Sequence, residues 1–118
     1  MWGIIATWRM AKEGIEKAEK ILDSQGDAGD AIETAIKEVE DSPYYKSVGY
    51  GGLPNEAMEV ELDAAYMNGD TLSVGAVASL QDFANPISIA RRLSHETVNC
   101  MLVGQGAESF ASQVGFDR

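Results

Sequence analysis

The residues Met58-Glu59-Val60-Glu61-Leu62-Asp63-Ala64, the pair Asn68-Gly69, and the run Leu72-Ser73-Val74-Gly75-Ala76-Val77-Ala78-Ser79-Leu80 decide the fold class. In the first, Met58, Val60, Leu62 and Ala64 alternate with acidic residues, the period-2 signature of a strand with one buried face. Asn-Gly predicts a two-residue type I′ hairpin, which needs positive φ at both central positions. The returning strand is small on both faces, so another element is expected to approach its backbone closely. Outward from this hairpin the period becomes helical. From about Met10, Ile15, Ala18, Ile21 and Leu22 form one face of a helix that Gly26 ends. Asp27 or Asp30 caps a second helix, with Ala31, Ala35 and Val39 beside Ile32 and Ile36, stopped by Asp41-Ser42-Pro43.

Between the second helix and the hairpin, Ser47-Val48-Gly49-Tyr50-Gly51-Gly52-Leu53-Pro54-Asn55 is a shaped glycine loop. Asn85-Pro86 caps a third helix, with Pro at the first helical position and Ile87, Ala90 and Leu93-Ser94 turned inward. Val98 to Val103 reads as a short apolar strand, and Ala107 to Val114 as a last helix closed by Gly115. At the other end Ile4-Ile5-Ala6-Thr7-Trp8 is β-favouring and predicts a buried opening strand. The pattern is α+β, with few strands for its helices, as in part of a larger layered structure.

Composition narrows the function classes. The 118 residues are 45% apolar and 24% charged, which suits one globular domain. A net charge of −10 opposes binding to a phosphate backbone. No apolar run is long enough to span a membrane, and the first residues lack the basic start of a signal peptide, so a cytoplasmic chain is expected. Cys100 is the single cysteine, which excludes an internal disulfide and a clustered zinc site. His95 has no nucleophile motif beside it and reads as an exposed helix-end residue. Glu59, Glu61 and Asp63 could ligate a hard cation but more simply form a wet strand face. Asp63, flanked by apolar residues, is a candidate buried hydrogen-bond anchor. No metal or cofactor is expected. The glycine loop neither follows a clear strand nor opens a helix, and lacks the lysine of a phosphate loop. Trp8 either fills a core or walls a pocket, and burial alone favours the core.

The motifs Ser47-Val48-Gly49-Tyr50-Gly51-Gly52-x-Pro-Asn, Leu62-Asp63-Ala64-x-x-Met67-x-Gly69, Gly75-Ala76-Val77, Asn85-Pro86-Ile87-x-Ile89-Ala90-Arg91 and Met101-Leu102-Val103-Gly104-x-Gly106-Ala107 occur in this order. The string resembles the α subunit of glycosylasparaginases, within the asparaginase family of N-terminal-nucleophile hydrolases. The resemblance runs from Thr7-Trp8 to Gly115-Phe116. It implies the α-subunit half of a four-layer αββα sandwich, with residues 1–118 lacking the C-terminal linker and the β subunit. It also implies an autocatalytically freed threonine on that β subunit, a small aspartyl amide as substrate, and an (αβ)₂ assembly. By position, Trp8 matches the aromatic that lines the aspartyl pocket, which favours the pocket-wall reading. Ser47 matches the serine near the nucleophile, the catalytic candidate of this chain. Thr7 varies between Ser and Thr in relatives, and Arg9-Met10 replaces an Asn-Phe common there. The loop Gly49 to Pro54 resembles the glycosylasparagine branch more than the isoaspartyl peptidase/L-asparaginase branch. A reading of another class is a non-catalytic acidic interaction module docking through strand edges.

Overall fold

The computed structural model describes residues 1–118. Four helices and three strands follow one another as α1 (Lys12–Asp23), α2 (Ala28–Glu40), β1 (Leu62–Met67), β2 (Val74–Leu80), α3 (Pro86–Leu93), β3 (Met101–Val103) and α4 (Gln105–Gln113), an α+β arrangement. Single 3₁₀ turns cover Arg9–Ala11 and Gly49–Gly51. No helix is long and apolar enough to cross a membrane.

The sheet has the order β1-β2-β3, with β1 antiparallel and β3 parallel to β2. Helix α3 makes the crossover between the parallel pair and lies against one face. The larger core forms there from Val77, Leu80, Phe83, Ile89, Ala90, Leu93, Ala107 and Ala111. The small residues of β2 are explained by this contact. A Cβ on Gly75 would overlap the carbonyl oxygen of Ala90, so α3 rests on the bare backbone of the strand. The inward face expected for α3 is observed, with Ile87, Ala90, Leu93 and Ser94 all buried. Helices α1 and α2 pair around Ala18, Ala31 and Ala35, and α2 touches α3. The opposite sheet face carries exposed Ala65, Met67, Met101 and Val103, and no helix covers it.

Four expectations are corrected. Ile4 to Trp8 is not a strand. Ile4 leans on the α1–α2 cluster while Ile5 is 96% exposed, and without a neighbouring strand to take its peptide groups a β-favouring run stays irregular. The Asn68-Gly69 hairpin is wider than a type I′ turn. Neither residue has positive φ; instead Asn68 N–H donates to the Ser73 carbonyl, its Oδ1 accepts from the N–H groups of Asp70 and Thr71, and Leu72 takes the left-handed conformation at φ 58°. β1 begins at Leu62 rather than Met58, whose own φ is 65°. β3 is only three residues long, with Val98 exposed outside it.

Asp63 is an anchor, but on the exposed side. β1 and β2 slip register between Leu62, which faces Leu80, and Ala64, which faces Val77, so one residue of β1 opposes two of β2. Ser79 absorbs the extra length at φ 48°, and the Asp63 carboxylate accepts its N–H at 2.8 Å in place of a ladder bond.

Candidate functional site

Two cavities adjoin at Val48, and each takes one of the residues singled out in the sequence. The first, about 370 Å³, is almost wholly apolar; Ile4, Ile5 and Trp8 line it opposite Ile15 of α1 and Ile32 and Ile36 of α2. Trp8 is 69% exposed, which rules out a core role within this chain and leaves its indole on the rim of that cavity. The second, about 160 Å³, is polar and lies between the glycine loop, β1 and the start of α3. Glu40, Ser47, Gly49, Glu61, Asp63 and Pro86 line it. Ser47 is exposed. The fold therefore places Trp8 and Ser47 on neighbouring cavities rather than in one.

The local chemistry of the polar cavity is set by a residue that periodicity did not single out. Glu40 is only 2% exposed. Its Oε1 accepts the N–H of Ile87 at 3.1 Å and its Oε2 accepts the side-chain amide of Asn85 at 3.3 Å. Asn85 was expected to cap α3, but its side chain makes no cap bond and instead donates to Glu40 and, at 2.8 Å, to Asp41. The cap of α3 thus comes from α2, 47 residues away in sequence. Burial pushes the Glu40 carboxyl up to about 7, against the two hydrogen bonds that favour its charge; Asp41 adds to the rise and Lys37 opposes it. A signal was present. Glu40 continues the row Ile32, Ile36 at intervals of four, so the carboxylate follows the apolar stripe of its helix.

The glycine loop is seated on the same residue. Gly49 has φ +63°, and a Cβ there would lie 2.6 Å from the carbonyl carbon of Glu40. Only glycine meets both demands, the left-handed backbone and the close approach. No cluster of three potential ligands with metal-binding geometry occurs; Glu59 and Glu61 accept hydrogen bonds from Gln81 and Asn55. His95 is exposed just beyond α3.

Comparison with known proteins gives this geometry a family. The chain is 40% identical over 115 residues to an N(4)-(β-N-acetylglucosaminyl)-L-asparaginase of Elizabethkingia miricola, covering 98% of this chain and 34% of that protein. It is 40% identical over 110 residues to an isoaspartyl peptidase/L-asparaginase of Mus musculus, covering 90% and 33%. A plant-type L-asparaginase of Thermococcus kodakarensis is 39% identical over 114 residues, 97% and 33% of the two chains. The chain spans about a third of the length of these curated relatives. The profile of the family described as Asparaginase matches residues 5–118, which takes in the polar cavity, the apolar one apart from Ile4, the glycine loop and all three strands, and the chain belongs to that family.

Proposed function

We propose that residues 1–118 are the α portion of an asparaginase-type amidohydrolase that cleaves the side-chain amide of glycosylasparagine. The observation that carries this reading is the family match from residue 5 to residue 118, with three relatives whose names all describe asparaginases. In this reading a β portion supplies a threonine whose hydroxyl attacks the amide carbonyl and whose own amine acts as base. An acyl-enzyme forms, the amine-bearing product leaves, and water releases aspartate. Ser47 is the residue of this chain nearest that chemistry, donating or accepting a hydrogen bond beside the threonine from the rim of the polar cavity. Trp8 walls the aspartyl pocket from the apolar one. The uncovered sheet face, with Ala65, Met67, Met101 and Val103, is apolar surface that a second sheet would bury, which is the support for a four-layer αββα sandwich and for an αβ pair that doubles to (αβ)₂.

A second reading keeps the family and changes the substrate to isoaspartyl dipeptides or free asparagine; the equal identity to the mouse isoaspartyl peptidase/L-asparaginase favours it. Aspartate release by the complete two-part enzyme from glycosylasparagine and from an isoaspartyl dipeptide separates the two. A higher kcat/KM on glycosylasparagine is expected, and equal or reversed values would give the second reading its place. In the same assay Ser47→Ala lowers turnover or maturation and Trp8→Ala weakens catalysis with the melting temperature unchanged. Wild-type behaviour of both variants would remove these residues from the site.

A further inference from the structure

Glu40 joins the start of α3, the glycine loop and the polar cavity. Its side chain holds the first turn of α3 through Ile87 N–H and Asn85. Its backbone is the floor on which Gly49 sits. It lines the polar cavity together with Ser47. We propose that Glu40 is a positioning residue of the enzyme, gripping α3 with its carboxylate while its backbone carries the glycine loop, so that Ser47 is held at one place on the cavity rim. This rests on the functional reading above.

The physical argument is one of rigidity. Ser47 is exposed and lies in a loop closed only by its own short-range bonds, a single 3₁₀ turn at Gly49–Gly51 and Leu53 N–H to the Lys46 carbonyl, so its place relative to α3 is inherited from the segments that the loop touches. Val48 to Gly52 turns on Gly49, and Gly49 rests flush on Glu40. A shift of Glu40 relative to α3 is therefore a shift of the loop. The ionised carboxylate accepts from both donors at full strength; protonation puts an O–H on one oxygen and weakens its acceptance there. The charged groups around it are Asp41 and Lys37 of α2, and Glu61 and Asp63 across the cavity; α3 presents only the Ile87 N–H and the Asn85 amide. The loss of a proton near neutrality, where burial has brought this group, therefore tightens the grip on the loop.

The test uses the complete two-part enzyme with Glu40→Gln, whose amide nitrogen faces the Asn85 amide and loses that contact. The expected result is a kcat for aspartate release lowered tenfold or more with KM within twofold, and a pH profile that no longer rises through pH 7. Hydrogen exchange at the amides of residues 47–52 should accelerate about tenfold. Arg91→Met, which also loosens α2 from α3 but far from the loop, should lower the melting temperature and leave kcat and loop exchange unchanged. Glu40→Gln with wild-type kcat, pH profile and loop exchange would overturn the proposal, as would equal effects of both variants on stability and kcat. If Glu40→Gln does not assemble, the triple variant E40Q/D41N/N85D, which exchanges donors for acceptors, is read instead. Activity within threefold of wild type supports the proposal, and a folded, inactive triple variant overturns it. A wild-type enzyme that releases no aspartate sinks the functional reading alone, and loop exchange in the variants still decides the role of Glu40.

Discussion

The two ends of α2 are fastened to α3 by opposite devices. At its start, Arg91 reaches back from α3 to Asp27 at 3.2 Å, Asp30 at 2.7 Å and Glu33 at 2.6 Å, and lies over the ring of Tyr66 at 5.7 Å. Ser88 hydrogen-bonds to the same Glu33. Partial burial works against the Arg91 charge, yet hydrogen bonds to Glu33 and Asp30 outweigh it and raise its pKa. The pair is wet on one side, with Asp27 and Asp30 mostly exposed. At the far end a single carboxylate, Glu40, is buried, holds neutral donors and makes no salt bridge, with Lys37 only a weak opposing charge. Redundant exposed charges make a clamp that tolerates loss. One buried group makes a clamp that sets geometry and titrates.

The sharpest way to break this contrast is to add the same methyl group at both ends. Gly49→Ala forces a Cβ into the backbone of Glu40 at a left-handed position, where neither side can give. A loss of roughly 3 kcal/mol or more is expected from strain and overlap together, read as a lowered urea midpoint. The Glu40 end also carries the pH dependence. Its folded pKa, about 7, lies above the unfolded value near 4.5, so the folded state binds the extra proton between these values. Stability therefore falls as pH rises from about 4.5 to 7 and is level above that, by on the order of 2 to 3 kcal/mol, and Glu40→Gln should flatten the curve. A wild-type curve that instead rises over this range would show the carboxylate to be no liability.

At the Arg91 end the effects are smaller. Arg91→Met should cost about 1 to 2 kcal/mol at low salt, and the difference from wild type should shrink by about half in 1 M NaCl, because exposed carboxylates are screened. A salt-independent loss would mean that the guanidinium acts through packing over Tyr66. The smallest effect belongs to Gly29→Ala. A Cβ there meets the Tyr66 hydroxyl at 2.6 Å, the Asp27 carboxylate at 2.7 Å and Arg91 Nη2 at 2.9 Å, all far ends of movable side chains. Alanine also gains up to about 1 kcal/mol of helix propensity, so the net change in melting free energy should stay within about 0.5 kcal/mol. A loss as large as that of Gly49→Ala would erase the distinction between the two clamps.

Local pattern was a sound guide wherever an element carries its own instructions. The stripes of α1 and α2, Asp27 as the cap whose carboxylate accepts Asp30 N–H, Pro86 opening α3, and the small residues of β2 were all legible, because spacing and φ preference act within a few residues. Ile4 to Trp8 and Val98 misled because β propensity needs a neighbouring strand, and sequence does not say where one lies. Asn68-Gly69 misled because Asn68 bonds its own following backbone and opens the turn to a wider loop.

The sequence alone determined the α+β pattern and the family resemblance, and it offered Trp8 and Ser47 as site candidates. Only the tertiary structure decided that these line separate cavities, that Asn85 gives up its cap, and that Glu40 takes it over from α2. The reason is the range of the forces. Periodicity and capping are read along a few residues, whereas the desolvation of a carboxylate depends on which distant segments close around it. Glu40 could be seen to follow an apolar stripe, but its burial and its partners at Asn85 and Ile87 exist only once α2 and α3 meet.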